Sequence, residues 1–173
     1  MEIPLEKKVW WNYLEEDLRE LFQQSIFLIK IVEKWERDPA ASGHKQFHDY
    51  AFIVFPIAKA YEGFLKTLFL DLGFISEKDF FGKRFRVGSA LNPALEKRYR
   101  RRESVYDQIV EFCGGRQLAD ILWDTWKSCR NMLFHWFPNE KNAISFKEAI
   151  VRVEKVVKSI DLAFKECKIN RSS

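Results

Sequence analysis

The chain has 173 residues, 29 lysines and arginines against 25 aspartates and glutamates, and a net charge of +4. That length fits one domain over 1–173, and sixteen Phe with six Trp supply enough apolar volume for a large core. Charged residues at 31% exclude a membrane-embedded chain; the longest uncharged apolar run, Tyr50 to Ala58, is about half of the ~20 residues that cross a bilayer.

The N-terminus, beginning Met1, Glu2, Ile3 and Pro4, shows no basic start followed by an apolar stretch and a small-residue cleavage site. Cys113, Cys129 and Cys167 are odd in number, widely spaced and form no CxxC pair. Free thiols in a reducing compartment are the simplest reading, so a cytoplasmic location is expected. Charge is uneven along the chain. From Lys83 to Arg102 eight basic residues face one acid, Glu96, a local +7 that leaves −3 for the remainder. A basic island on a near-neutral body suits a polyanion, although a solvated charged loop has the same composition.

The elements are helical throughout. Leu5 to Arg37 carries Trp10, Leu14, Leu18, Leu21, Phe22, Ile29, Val32 and Trp35 mostly at three- and four-residue steps, and Asp38-Pro39 stops it. Lys45 to Leu72 is apolar nearly all round and reads as the most buried helix, with a kink or break at Pro56 and a stop at Gly73. Ser76 with Asp79 is a capping pair for one short turn. Phe80 to Asn92 has no clean period and reads as an irregular loop. Pro93 to about Arg102 is expected as a charged helix, and Ser104 to Phe112 as a short one closed by Gly114-Gly115. Gln117 to Trp136 forms the next helix, its buried stripe including Leu118, Leu122, Thr125, Cys129, Met132 and Leu133. Ser145 and Glu148 form a capping box for a last helix, whose Phe146, Ile150, Val153, Val157, Ile160 and Phe164 give one apolar face. The expected class is all-α, an up-and-down bundle of four to five main helices.

No phosphate-binding glycine loop, HExxH or nucleophile elbow occurs. His44 and His48 are four apart with Asp49 beside them, but no further ligand is fixed, so no metal or cofactor is expected. The informative run is Arg130, Asn131, Met132, Leu133, Phe134, His135. Asn131 and His135 would share a helix face, Arg130 could swing toward it, and Met132 and Leu133 would point into the bundle. The cationic imidazole favoured at a helix C-terminus would suit His135 as an acid. An ordinary surface arginine and core-edge histidine would give the same letters.

On the second helix, Lys59, Glu62 and Lys66 form a polar stripe on an otherwise apolar element, either an intrahelical ion pair or a functional carboxylate. Gly63 costs about 1 kcal/mol in a helix interior, which makes sense where another helix or a substrate comes close.

The run Ala60 to Lys66, the loop Gly88-Ser89-Ala90-Leu91-Asn92, and Arg130-Asn131 with His135 together resemble a HEPN domain, closest to the ribonuclease-LS-like branch, over about Phe47 to Phe164. The resemblance implies a helical bundle, usually dimeric, in which Arg-x4-6-His motifs of two subunits form one cleft. Many such domains are metal-independent ribonucleases of toxin–antitoxin, phage-defence or CRISPR systems, held in check by a cognate antitoxin or regulatory protein. Carried onto this sequence, it makes Arg130, Asn131, His135 and Glu62 the candidate catalytic residues. Lys66 is added from the polar stripe. The basic residues Lys83, Arg84, Arg86, Arg98, Arg100, Arg101 and Arg102 are expected to hold RNA backbone, with Phe85 or Tyr99 stacking on a base. In one departure, position 137 is Phe where branches controlled by tyrosine modification carry Tyr. A non-catalytic HEPN module binding RNA, nucleotide or a partner protein, and a plain helical interaction protein, remain the alternatives.

Overall fold

The computed structural model describes residues 4–37, 47–95, 104–112, 115–136, 138 and 142–167. Among these residues every regular element is a helix: α1 (Glu16–Glu36), α2 (Ala51–Asp71), α3 (Glu77–Phe81), α4 (Val87–Ala90), α5 (Val105–Phe112), α6 (Arg116–Trp126) and α7 (Phe146–Glu166). Two 3-10 turns, Leu5–Lys7 and Trp11–Tyr13, precede α1. The result is an all-α helical bundle, with four long helices and three short ones among the described residues.

The expected centre of the bundle is where the apolar pattern puts it. α2 packs against α1, α6 and α7, and Ile53, Val54, Ile57, Ala60, Tyr61, Phe64, Leu65, Leu68 and Phe69 are all buried. The Tyr61 hydroxyl donates to the Leu122 carbonyl (3.3 Å) and lies 2.8 Å from Ser159 Oγ, so it ties α2 to α6 and α7. Burial pushes its phenol far above the ordinary tyrosine range.

Pro56 does not split α2. Proline supplies no amide hydrogen for the turn before it, and the amide of Ile57 donates instead to Ser25 Oγ of α1 at 3.0 Å, a hydroxyl with no solvent exposure. Gly63 marks the close approach of α1: a methyl group there would lie 2.5 Å from Leu18 Cδ2. Gly73, at φ 72°, takes the left-handed conformation that ends α2, its amide donating to Leu70.

Both capping boxes form. Ser76 and Asp79 exchange side-chain and backbone hydrogen bonds at the start of α3, as do Ser145 and Glu148 at the start of α7. Asp161 of α7 accepts from Trp10 Nε1 (2.7 Å) and Lys8 Nζ (2.6 Å), which fastens the N-terminal segment to the bundle.

Four expectations need correction. The first helix starts at Glu16, not Leu5, because the tryptophan-rich stretch is spent in 3-10 turns that bury Trp10, Trp11 and Leu14. The second starts at Ala51, because Asp49 Oδ1 accepts from the amides of Ala51 and Ile144 and holds an irregular entry instead of another helical turn. The stretch from Phe80 to Asn92 is not wholly irregular, since α3 ends and α4 lies within it. The helix through Cys129 ends at Asn131, and Met132 is 49% exposed, not part of the buried stripe. The charged helix expected up to Arg102, and residues His44, Cys113 and Phe137, lie wholly or largely outside the described residues. Cys129 and Cys167 are both buried.

Candidate functional site

Three segments meet beside α2. α6 passes directly into a π-helical turn, Lys127–Asn131, closed by the amide of Met132 donating to the Lys127 carbonyl at 2.9 Å. The wide turn places Arg130 toward α2. Its Nε donates to Glu62 Oε2 at 2.7 Å and its Nη2 lies 2.6 Å from the same oxygen. The guanidinium centre stands 4.9 Å from the Trp126 ring centroid. Trp126 and Arg130 are four residues apart, so one helix face supplies both cation and aromatic support. Both charged side chains remain about one-third exposed (34% and 31%). Arg130 retains Nη1 donors beyond those facing Glu62, and Glu62 retains Oε1.

Trp126 is seated in turn by α4. A methyl group on Gly88 would fall 2.4 Å from Trp126 Nε1, so only glycine admits the indole at this distance. Arg86 is the residue before α4. Together with Arg84, Asp79, Phe85 and Ser89 it lines a cavity of about 370 Å³. Lys83, Arg84 and Arg86 are exposed. Lys66 donates to the Phe80 carbonyl at 2.8 Å and stands over the Phe80 ring, joining α2 to α3. Glu62 and Lys66 are four apart on α2, so the Arg130 contact and the Phe80 contact fall on one face of that helix. Arg98, Arg100, Arg101, Arg102 and Tyr99 lie outside the described residues.

His135 goes elsewhere. After Asn131 the chain leaves the helix, and the last helical-type bond is the amide of Phe134 donating to the Arg130 carbonyl at 3.4 Å. Asn131 and His135 are both exposed, but they do not share a helix face. His135 lines a wide cleft of about 1160 Å³ at the start of α2, with Glu36, Phe47, His48, Asp49, Trp136 and Asn142 among its walls. Neither Arg130 nor Glu62 lines this cleft. Glu62 is eleven residues into α2 from Ala51, about 16 Å along the helix axis. Phe55 spans part of that interval, its ring meeting Phe134 edge-on at 5.4 Å. Glu62 therefore partners Arg130.

The cleft is held by three strands of non-helical chain. The Tyr50 amide donates to the Ile144 carbonyl at 3.0 Å, the Ile144 amide to Asp49 Oδ1 at 3.1 Å, and Asn142 Nδ2 to the His135 carbonyl at 3.0 Å. Tyr50 OH donates to Glu36 Oε1 at 3.3 Å; burial and the adjacent carboxylate raise its phenol above the usual range. Trp136 is 83% exposed and Phe47 53%. The sequence singles out His48 only as a possible metal ligand and does not single out Trp126. The four-residue spacing of Trp126 and Arg130 is readable there; the shared cleft of His48 and His135 depends on a pairing about 95 residues away.

Among the described residues no group of three or more His, Cys, Asp or Glu side chains forms a metal cluster, and no helix is long and apolar enough to cross a membrane. Comparison of the chain with protein-family models, with curated proteins and with solved structures finds no match.

Proposed function

We propose that this chain is a metal-independent RNA endonuclease of the HEPN type, cytoplasmic, and acting as a homodimer in toxin or phage-defence settings under a cognate antitoxin or regulatory protein. The observation that carries the reading is the Arg130–Glu62 pair: a guanidinium and a carboxylate brought together from positions 68 apart, aromatic-backed and still open to solvent. An exposed imidazole follows five residues later, at the edge of a cleft large enough for single-stranded nucleic acid.

The reaction is transesterification within the substrate. A base takes the proton of a ribose 2′-OH, the 2′-oxygen attacks the adjacent phosphorus, and the bond from phosphorus to the 5′-oxygen breaks. An acid protonates that leaving oxygen, giving a 2′,3′-cyclic phosphate and a 5′-hydroxyl. The nucleophile belongs to the RNA, so metal activation is not required. His135 supplies acid or base. Arg130 directs its remaining donors at the phosphoryl oxygens, where charge grows in the transition state. Glu62 holds the guanidinium in plane, and Asn131 orients phosphate beside it. Arg84, Arg86 and Lys83, with the basic residues up to Arg102, hold RNA backbone, and Trp136 and Phe47 offer faces for bases. Because Arg130 and His135 diverge within one chain, the dimer would bring the arginine of one subunit toward the histidine of the other.

The test is cleavage of labelled single-stranded RNA by purified protein. His135→Ala and Arg130→Ala should abolish cleavage with the helical signal intact, and EDTA should leave the wild type active. Full activity in both variants removes the assignment. The separation of the Arg130–Glu62 pair from the His135 cleft favours one second reading: a non-catalytic module that binds RNA, nucleotide or a partner protein. It predicts salt-sensitive RNA binding without cleavage.

A further inference from the structure

The wide cleft holds two imidazoles, and only one has been given a task. We infer that His48 and His135 of the same chain together grip the scissile phosphate, one as base and the other as acid; this rests on the nuclease reading above.

His48 lies in the irregular entry to α2 and His135 in the exit from the π turn, 87 positions later in sequence, yet both line one cavity. Their segments are fastened to the same short stretch. Asp49 and Tyr50 bond to the backbone of Ile144, while Asn142 bonds to the backbone of His135. Two residues separate those anchors, so they are at most about 7 Å apart along the chain. Hydrogen bonds of ordinary length therefore hold the backbone beside both histidines to one stretch of chain, and both exposed side chains border the same opening.

Transesterification needs one neutral base and one protonated acid on opposite sides of phosphorus. Imidazole can serve in either role, so two histidines supply both without any further group. The base imidazole takes the 2′-OH proton as the oxygen–phosphorus bond forms. The other gives its proton to the 5′-oxygen as that bond breaks. The pair ends with its protons exchanged, and solvent restores it.

Several carboxylates facing the cleft have structural partners. Asp49 Oδ1 accepts two backbone amides, Glu36 accepts from Tyr50 and Glu148 belongs to its capping box. Lys147 also borders the opening and contributes positive charge toward a phosphate.

The experiment measures steady-state cleavage of a short RNA against pH for wild type, His48→Ala, His48→Asn and His135→Ala. His48 is exposed, so the fold should survive; circular dichroism checks it. The wild type should give a bell-shaped profile. His48→Ala should lose about 10²- to 10⁴-fold in kcat with little change in KM, and one limb of the bell should vanish. The limb that vanishes names its role. If His135→Ala is inactive while His48→Ala keeps wild-type rate and both limbs, the His48 assignment falls and the nuclease reading stands.

A second readout needs no turnover. The imidazole C2–H resonances, assigned by single replacement, are followed while uridine 3′-monophosphate is added. Movement of both His48 and His135 supports a shared phosphate site. If the wild type fails to cleave RNA, the nuclease reading fails and the catalytic roles with it. If the nucleotide moves neither imidazole or only one, the shared site is overturned.

Discussion

Replacing Arg130 by alanine separates a structural strut from a reacting group, because the two roles predict losses of different size. Both partners of the Arg130–Glu62 pair are about one-third exposed, so the ion pair contributes about 0–1 kcal/mol. The guanidinium over Trp126 adds about 0.5–1 kcal/mol. Arg130→Ala should therefore cost about 0.5–2 kcal/mol. For a chain of this size that lowers Tm by about 1–8 °C. A double-mutant cycle with Glu62→Gln should give a coupling of about 1 kcal/mol or less. Loss of a donor aimed at the developing phosphoryl charge costs more, about 2.7–4 kcal/mol, or 10²- to 10³-fold in kcat. Urea unfolding followed by far-UV circular dichroism and RNA cleavage at saturating substrate measure the two effects on one preparation. Cleavage at wild-type rate by a folded Arg130→Ala variant would refute the catalytic role. A stability loss well above 3 kcal/mol would instead make the pair chiefly structural.

Gly88→Ala should disturb Arg130 indirectly, since the new methyl would sit 2.4 Å from Trp126 Nε1. The indole must shift, costing about 1–3 kcal/mol, and kcat should fall more than KM rises; an unchanged Tm and rate would show that Trp126 does not position Arg130. Tyr61→Phe should cost about 1–3 kcal/mol in urea titration, because the buried Ser159 hydroxyl and the Leu122 carbonyl lose a partner. Acid should weaken both capping boxes. The Ser76 hydroxyl, then its amide, holds the Asp79 carboxyl below its ordinary range, and Ser145 does the same for Glu148. For lowered carboxyls the stabilisation is present above the unfolded value and is lost as pH falls through the folded one. Tm should therefore drop more steeply below the ordinary carboxylate range in the wild type than in a Ser76→Ala, Ser145→Ala variant.

Features written within one turn of chain were legible in the sequence. Ser145 with Glu148 and Ser76 with Asp79 are local chemistry, and each starts a helix as its spacing implies. The apolar run around Ile53 to Phe69 could be satisfied only at the centre of the bundle, and Gly63 announced the contact with Leu18. Helix ends were harder where tertiary bonds decide them. Leu133 and Phe134 continue an apolar rhythm past Asn131, yet the chain turns there, with Phe134 packed on Phe55 and His135 held by Asn142. Asp49 looked like part of a helix, but its carboxylate is spent on Ala51 and Ile144. The pairing of Arg130 with Glu62 was within reach, since a charged stripe on a buried helix calls for a partner. The placement of His135 and His48 in one cleft was not, because it rests on hydrogen bonds to residues 142–144.

The most direct test uses one RNA oligonucleotide and a matched version lacking a single 2′-hydroxyl at the mapped cleavage position, both in EDTA. The account predicts that the wild type cuts the first to a 2′,3′-cyclic phosphate and leaves that position of the second intact, while His135→Ala cuts neither. Equal cutting of both substrates, or no cutting of either by the wild type, would contradict it.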